Sequence, residues 1–172
     1  MSQHVYDMVA TQYTRSLKNM KGMLLKAREF AKERNFDENQ FLSLKAAPDM
    51  FTLARQVQIT TDMTKAAAAR LAGKTAPAFE DNETTLEELL TRIDKTISFM
   101  NEMKPADYSN YAEQKYTSMH RKGQFMSGKD FLESHNIPNV YFHMTTTYLL
   151  LRSCGVNIGK KDYIGDVNWQ KE

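Results

Sequence analysis

Apolar side chains recur every three or four residues along four separate stretches of this 172-residue chain. The first runs Val5, Val9, Tyr13, Leu17, Met20, Leu24, Ala27, Ala31. The second runs Met50, Leu53, Val57, Thr61, Thr64, Ala68, Leu71, and the third Leu86, Leu89, Leu90, Ile93, Ile97, Met100. Val140, Met144, Tyr148 and Leu151 make the last. Such spacing gathers each set on one side of a helix, and each helix must then bury that side against the others. Glycine (7) and proline (4) are too scarce for a fold built from many tight turns. The expected fold is all-α, a four-helix bundle, in a single domain over residues 1–172.

Breaks between the stripes are written in caps and stops. Gly22 is expected to mark a kink in the first helix, and residues 36–47 a connector. Pro48-Asp49 is expected to open the second helix with Asp49 as its N-cap, and Gly73 to stop it. A loop containing Pro77 follows. Thr84 and Glu87 are expected to form a capping box ahead of the third helix, which Pro105 ends near Met103. Tyr116 to His120 and Gln124 to Met126 read as a small hairpin around Arg121-Lys122-Gly123. Ser127 and Asp130 are expected to cap a short helix reaching His135, and Pro138 to stand in the first turn of the fourth long helix. That helix should end with Gly155 in a left-handed conformation and Val156 folding back. The apolar and aromatic residues of the tail, Trp169 included, are expected to pack on the bundle.

Composition narrows the function. Lys plus Arg (23) barely exceeds Asp plus Glu (21), and basic and acidic residues alternate along Lys26 to Arg34, so neither nucleic acid nor a membrane is an expected partner. No apolar run is long enough to span a bilayer. A single cysteine, Cys154, excludes a disulfide scaffold, suits the cytoplasm, and is expected to be a small buried hydrophobe. The eleven methionines are read as core filling. Neither a glycine-rich phosphate loop, nor a Gly-x-Ser-x-Gly elbow, nor a Glu-x-x-His pair is present. Of the four histidines, His4 and His120 are expected in solvent and His135 near a helix end. His143 is the informative one, because Asn139 and Thr147 share its face of the last helix. Two readings compete. His143 is either a core imidazole hydrogen-bonded to Gln56 or Gln58, or a ligand or base in a pocket.

Several blocks carry a resemblance. They are Pro48-Asp49-Met50-Phe51, Gln56-Val57-Gln58, Ala69-Arg70-Leu71-Ala72-Gly73, Phe79-Glu80-Asp81-Asn82-Glu83, Pro138-Asn139-Val140-Tyr141-Phe142-His143 and Gly155-Val156-Asn157-Ile158-Gly159-Lys160-Lys161-Asp162-Tyr163-Ile164-Gly165. Together they resemble an uncharacterised branch of the DinB/YfiT-like metalloenzymes. That resemblance implies an up-down-down-up bundle, often a homodimer. It also implies a divalent-metal pocket that, in DinB-like proteins, uses one His from helix 2 and an i, i+4 His pair from the last helix. Here His143 falls on the second of that pair, Asn139 on the first, and Gln56 on the helix 2 position, with Gln58 as the alternative register. Tyr141 or Tyr163 would supply a proton nearby. The implied function is a DinB-like protein of unknown activity: either a metal-dependent enzyme (zinc or nickel) with an altered pocket, or a non-catalytic small-molecule-binding or dimeric module without a metal.

Overall fold

The computed structural model describes residues 2–117 and 121–170. Four long helices form an up-down-down-up bundle. The first, α1, is α-helical over Ser2–Tyr6 and Tyr13–Glu33, with a π-helical stretch Asp7–Gln12 between them. α2 spans Leu53–Leu71 and α3 Leu86–Met100. After a short antiparallel pair, β1 Lys115–Thr117 and β2 Phe125–Ser127, the chain re-enters helix at Gly128–Asp130. It continues through a π-helical stretch Phe131–Asn136 into α4, Ile137–Ser153, and a five-residue helix, α5, covers Lys160–Ile164.

α2 packs most extensively on α4 and also on α3, while α1 packs on α3 and α4. α1 and α2 therefore face each other across a diagonal. α2 and α3 run parallel, so residues 72–85 must travel back along the bundle as a strap. The core between the helices holds Leu17, Met20, Leu24, Leu53, Val57, Leu89, Ile93, Val140, Met144 and Leu151.

The irregularity in α1 lies at Asp7–Gln12, not at Gly22, which stays in regular helix. The stripe itself gives the reason. Val5, Val9, Tyr13 and Leu17 are all buried at steps of four. Three such steps drift by roughly 120° around an ideal α-helix, and the wider π turns take up that drift. Likewise, the segment capped by Ser127, whose Oγ accepts from Asp130 N at 3.1 Å, is not a separate short helix ending at His135. It runs unbroken into α4, and the π stretch lies just ahead of Pro138, whose missing N–H an α-helix could not use.

Other boundaries shift for similar reasons. α2 starts at Leu53 with Thr52 as N-cap, whereas Pro48 and Asp49 form a turn ahead of it. The capping box uses Thr85 and Glu88, one residue later than Thr84 and Glu87. That frame puts Leu86 at the first helical position, fully buried, with its N–H on Asn39 Oδ1 at 2.9 Å. α3 ends at Met100, ahead of the expected Met103. Both glycine stops form as expected: Gly73 has φ +65° with Lys74 N on Ala69 O, and Gly155 has φ +93° with Val156 N on Leu151 O. The hairpin pairs Tyr116 with Met126; Ser118, Met119 and His120 lie outside the described residues. Cys154 is exposed at the end of α4 rather than buried. In the tail Ile158 and Tyr163 pack on the bundle, but Trp169 is 89% exposed.

Candidate functional site

His143 faces α2, and α2 presents Gln56 to it. Both side chains are buried, at 8% and 1% exposure. Gln56 Nε2 donates to the Phe51 carbonyl oxygen at 3.2 Å, which turns Oε1 toward the imidazole. Oε1 lies 2.6 Å from His143 Nδ1. An amide oxygen only accepts, so Nδ1 carries the proton and Nε2 keeps its lone pair. Among the described residues Nε2 has no partner, and the single buried side-chain atom lacking a partner there is Asp81 Oδ1, so Nε2 meets solvent. Burial pushes the His143 pKa below 6.5, and the positive charge of Arg55 pushes the same way. The imidazole is therefore neutral near pH 7. The exposed Phe142 ring stands edge-on to the imidazole at 5.2 Å.

Of the two helix 2 registers, the structure brings Gln56 to His143. Gln58 points into another set of groups, accepting from Arg55 Nη1 at 3.2 Å and donating to Glu83 Oε2 at 2.8 Å. Asn139 sits half-buried one turn before His143 on α4. Tyr141 and Tyr163 are on the α1 side. Tyr141 accepts from Gln12 Nε2 at 3.1 Å, and Tyr163 shares a hydrogen bond with Thr145 Oγ1 at 2.9 Å.

A three-ligand metal centre does not fit these residues. Gln56 Oε1 is engaged by His143 Nδ1, and Asn139 contributes a carboxamide, a weak ligand for zinc or nickel. Among the described residues no three of His, Cys, Asp or Glu come together in a way that could hold a metal ion. The arrangement instead resembles the outer layer of a metal site, in which a hydrogen bond at one ring nitrogen orients the other. It leaves one fixed, neutral acceptor at the surface.

Beside this site lies a cluster the stripes did not announce. Arg92, 2% exposed on α3, donates from Nε to Thr61 Oγ1 at 2.7 Å, from Nη1 to Glu83 at 2.9 Å and from Nη2 to Asp62 at 2.8 Å. Asp81 Oδ1 is 2.7 Å from Nη2 without hydrogen-bond alignment. Asp81 Oδ2 takes Arg55 Nη1 at 2.5 Å. Lys65 pairs with Asp62 at 3.0 Å and stands 3.6 Å over the Phe79 ring, which Arg92 also meets at 4.8 Å. Three cations face three carboxylates, and the strap supplies Phe79, Asp81 and Glu83. Burial pushes the Asp81 and Glu83 carboxyls up, but hydrogen bonds and charge from Arg92, and from Arg55 at Asp81, outweigh it and hold both below the ordinary value. A signal was present in the sequence: Arg92 is three residues after Leu89 and four before Thr96, so it stands on the apolar face of α3. A recess of about 350 Å³ beside the strap is lined by Glu83, Arg92 and Lys95, and another of about 440 Å³ by Thr14, Arg15, Lys18 and Asn101. Neither reaches His143. No described helix is long and apolar enough to cross a membrane.

Comparison with known proteins places this geometry in a family. The profile described as "Domain of unknown function (DUF1993)" matches residues 5–164. A solved crystal structure of a DinB family member protein from Shewanella denitrificans is 38% identical, with a TM-score of 0.96. That match covers 99% of this chain and 97% of the other. No curated protein matches the chain.

Proposed function

We propose, from the premise that this chain belongs to the DUF1993 family and shares the DinB fold, that it binds a small polar molecule at His143 through a neutral imidazole. One observation carries this reading: the Phe51–Gln56–His143 chain of hydrogen bonds fixes Nε2 as an outward-facing lone pair. Such an atom accepts a proton donor from a ligand, and with a pKa below 6.5 it stays unprotonated near neutrality. The altered pocket of His143, Asn139 and Gln56 is read as a descendant of a metal site that now works without zinc or nickel, because its donor set is too weak.

Elemental analysis of protein purified without chelator tests the metal side. We expect under about a tenth of an equivalent of any transition metal. Stoichiometric zinc or nickel, lost in His143→Ala, overturns the reading in favour of a metal-dependent enzyme. Thermal-shift screening with small polar molecules tests the binding side. Hits should vanish in His143→Ala, and a screen without hits counts against a ligand site.

A homodimer is part of the same proposal. α4 presents Phe142 and Leu149 seven residues apart, both more than half exposed. Sedimentation showing a strict monomer removes it. The lone cysteine, exposed at the end of α4, supports a reducing cytoplasm as the compartment.

A further inference from the structure

We propose a second binding site, apart from His143, that takes a small hydroxylated phosphate monoester of the sugar-phosphate class. It is the recess of about 440 Å³ bordered by the first half of α1, the end of α3 and the tail.

The recess holds positive charge that the protein leaves unmatched. Arg28, Arg55 and Arg92, the other arginines that are not exposed, all rest on carboxylates. Half-buried Arg15 has no carboxylate partner among the described residues. Its Nη2 donates to Gln12 Oε1, and its Nη1 to the Asp166 carbonyl oxygen at 3.4 Å. Both acceptors are neutral, so they aim the guanidinium without cancelling its charge. Gln12 is itself held, because its Nε2 donates to Tyr141 Oη at 3.1 Å. Asn19 pins the turn that carries the Asp166 carbonyl. Its Nδ2 donates to the Tyr163 carbonyl oxygen at 3.1 Å, and its Oδ1 would lie 2.5 Å from a Cβ at Gly165. A guanidinium fixed before the ligand arrives loses less freedom on binding.

The rest of the recess selects the anion. Thr11, Thr14 and Lys18 join Arg15 on one face of α1, spaced by three and four residues. Among the described residues Lys18 forms no ion pair, and neither threonine hydroxyl has a partner. Thr60, Thr64, Thr96, Thr146 and Thr147, by contrast, each donate to a carbonyl of their own helix. One guanidinium fork satisfies a carboxylate. A phosphate monoester adds a further oxygen and most of a second negative charge, which Lys18 and the two hydroxyls match. Asn101 and Asp166 also border the recess. Their acceptor oxygens suit the hydroxyls of a sugar and oppose a second anion.

The test is an NMR titration of the full chain at constant ionic strength, following backbone amide signals. The probes are glycerol 3-phosphate and ribose 5-phosphate, each beside its unphosphorylated parent, and inorganic phosphate. At least one ester should shift Thr11, Thr14, Lys18 and Asn101 saturably. It should bind about tenfold or more tightly than its parent, and more tightly than inorganic phosphate. Arg15→Gln and Lys18→Ala should each weaken it about fivefold or more, as expected for the loss of a charged donor. Lys32→Ala, which removes an exposed lysine elsewhere on α1, and His143→Ala should leave it unchanged. No saturable shift, or shifts centred on other residues, overturns the site. So does an equal loss in Lys32→Ala, which would mean diffuse charge, or a loss in His143→Ala, which would assign the ligand to the other site. Inorganic phosphate binding as tightly as both esters overturns the ligand class. Should Arg15→Gln fail to fold, Lys18→Ala, at an exposed side chain, decides alone.

Discussion

The His143 site and the Arg92 cluster are both polar groups held between helices, and they share Arg55 at their border. They differ in what is left over. Around Arg92 three cations meet three carboxylates, and strap and helices bury Arg92 and Lys65 among them. Around His143 there is one neutral ring, one carboxamide, and a lone pair that no described residue uses. A polar set whose charges are paired within the protein holds elements in register; one with an open valence at the surface offers something to a ligand. On that contrast, the charge-rich region is the structural one and the sparse region is the functional one.

The strongest attack on this contrast is Arg92→Met. It leaves Asp62, Asp81 and Glu83 facing each other without their shared cation, and should cost about 3–5 kcal/mol in urea unfolding. Ligand response at His143 should survive in whatever fraction remains folded. A loss below 1 kcal/mol would break the structural assignment.

Next in size is Gln56→Ala. It strips the partner from a buried Nδ1–H and should cost about 1–3 kcal/mol. It also frees the tautomer: the imidazole ¹⁵N shifts of the native protein should report a proton on Nδ1, and the variant a mixture. A native imidazole protonated at Nε2 would break the functional assignment.

Acid separates the two regions further. The folded pKa values of Asp81 and Glu83 are depressed, so their stabilisation is present above the ordinary carboxylate range and is lost as pH falls through the folded values. That of His143 is depressed from 6.5, so the neutral ring's contribution is present above about pH 6.5 and is lost as pH falls through its own folded value. Stability measured against pH should therefore fall in two stages. His143→Gln should flatten the upper one and leave the lower. A His143 titration midpoint above 6.5 would contradict the burial argument.

The smallest effect expected is at Trp169. Being 89% exposed, it should change stability by no more than about 0.5 kcal/mol on substitution by alanine. A larger change would mean that the tail covers something in solution.

The bundle was legible because helix periodicity depends only on where apolar residues fall, and Val57, Leu89 and Val140 fall where the core needs them. The glycine stops were legible for an equally local reason, the left-handed φ at Gly73 and Gly155. Thr85 displaced Thr84 as a cap because the frame is set by the burial of Leu86, a tertiary fact that a Thr-Thr pair does not encode. The π stretches were hidden because steps of four read as ordinary α-helix until they accumulate. At the site, residue types singled out His143 and both candidate glutamines. Which glutamine turns inward depends on the docking of α2 against α4. The pairing of Arg55 and Arg92 was not legible because their partners Asp81 and Asp62 lie 26 and 30 residues away in sequence.

The diagonal placement of α1 and α2 also sets an order of events. The first two helices made during synthesis have little of each other to rest on, and the largest helix pair joins α2 to the last long helix. Gln56 waits for a residue 87 positions later, and Tyr13 Oη for Asn136, 123 positions later. Contacts so distant along the chain slow folding, and a nascent chain lacking α4 keeps one side of its core open to water. A chain truncated before Ile137, and so lacking α4, should therefore be collapsed and aggregation-prone rather than a smaller bundle.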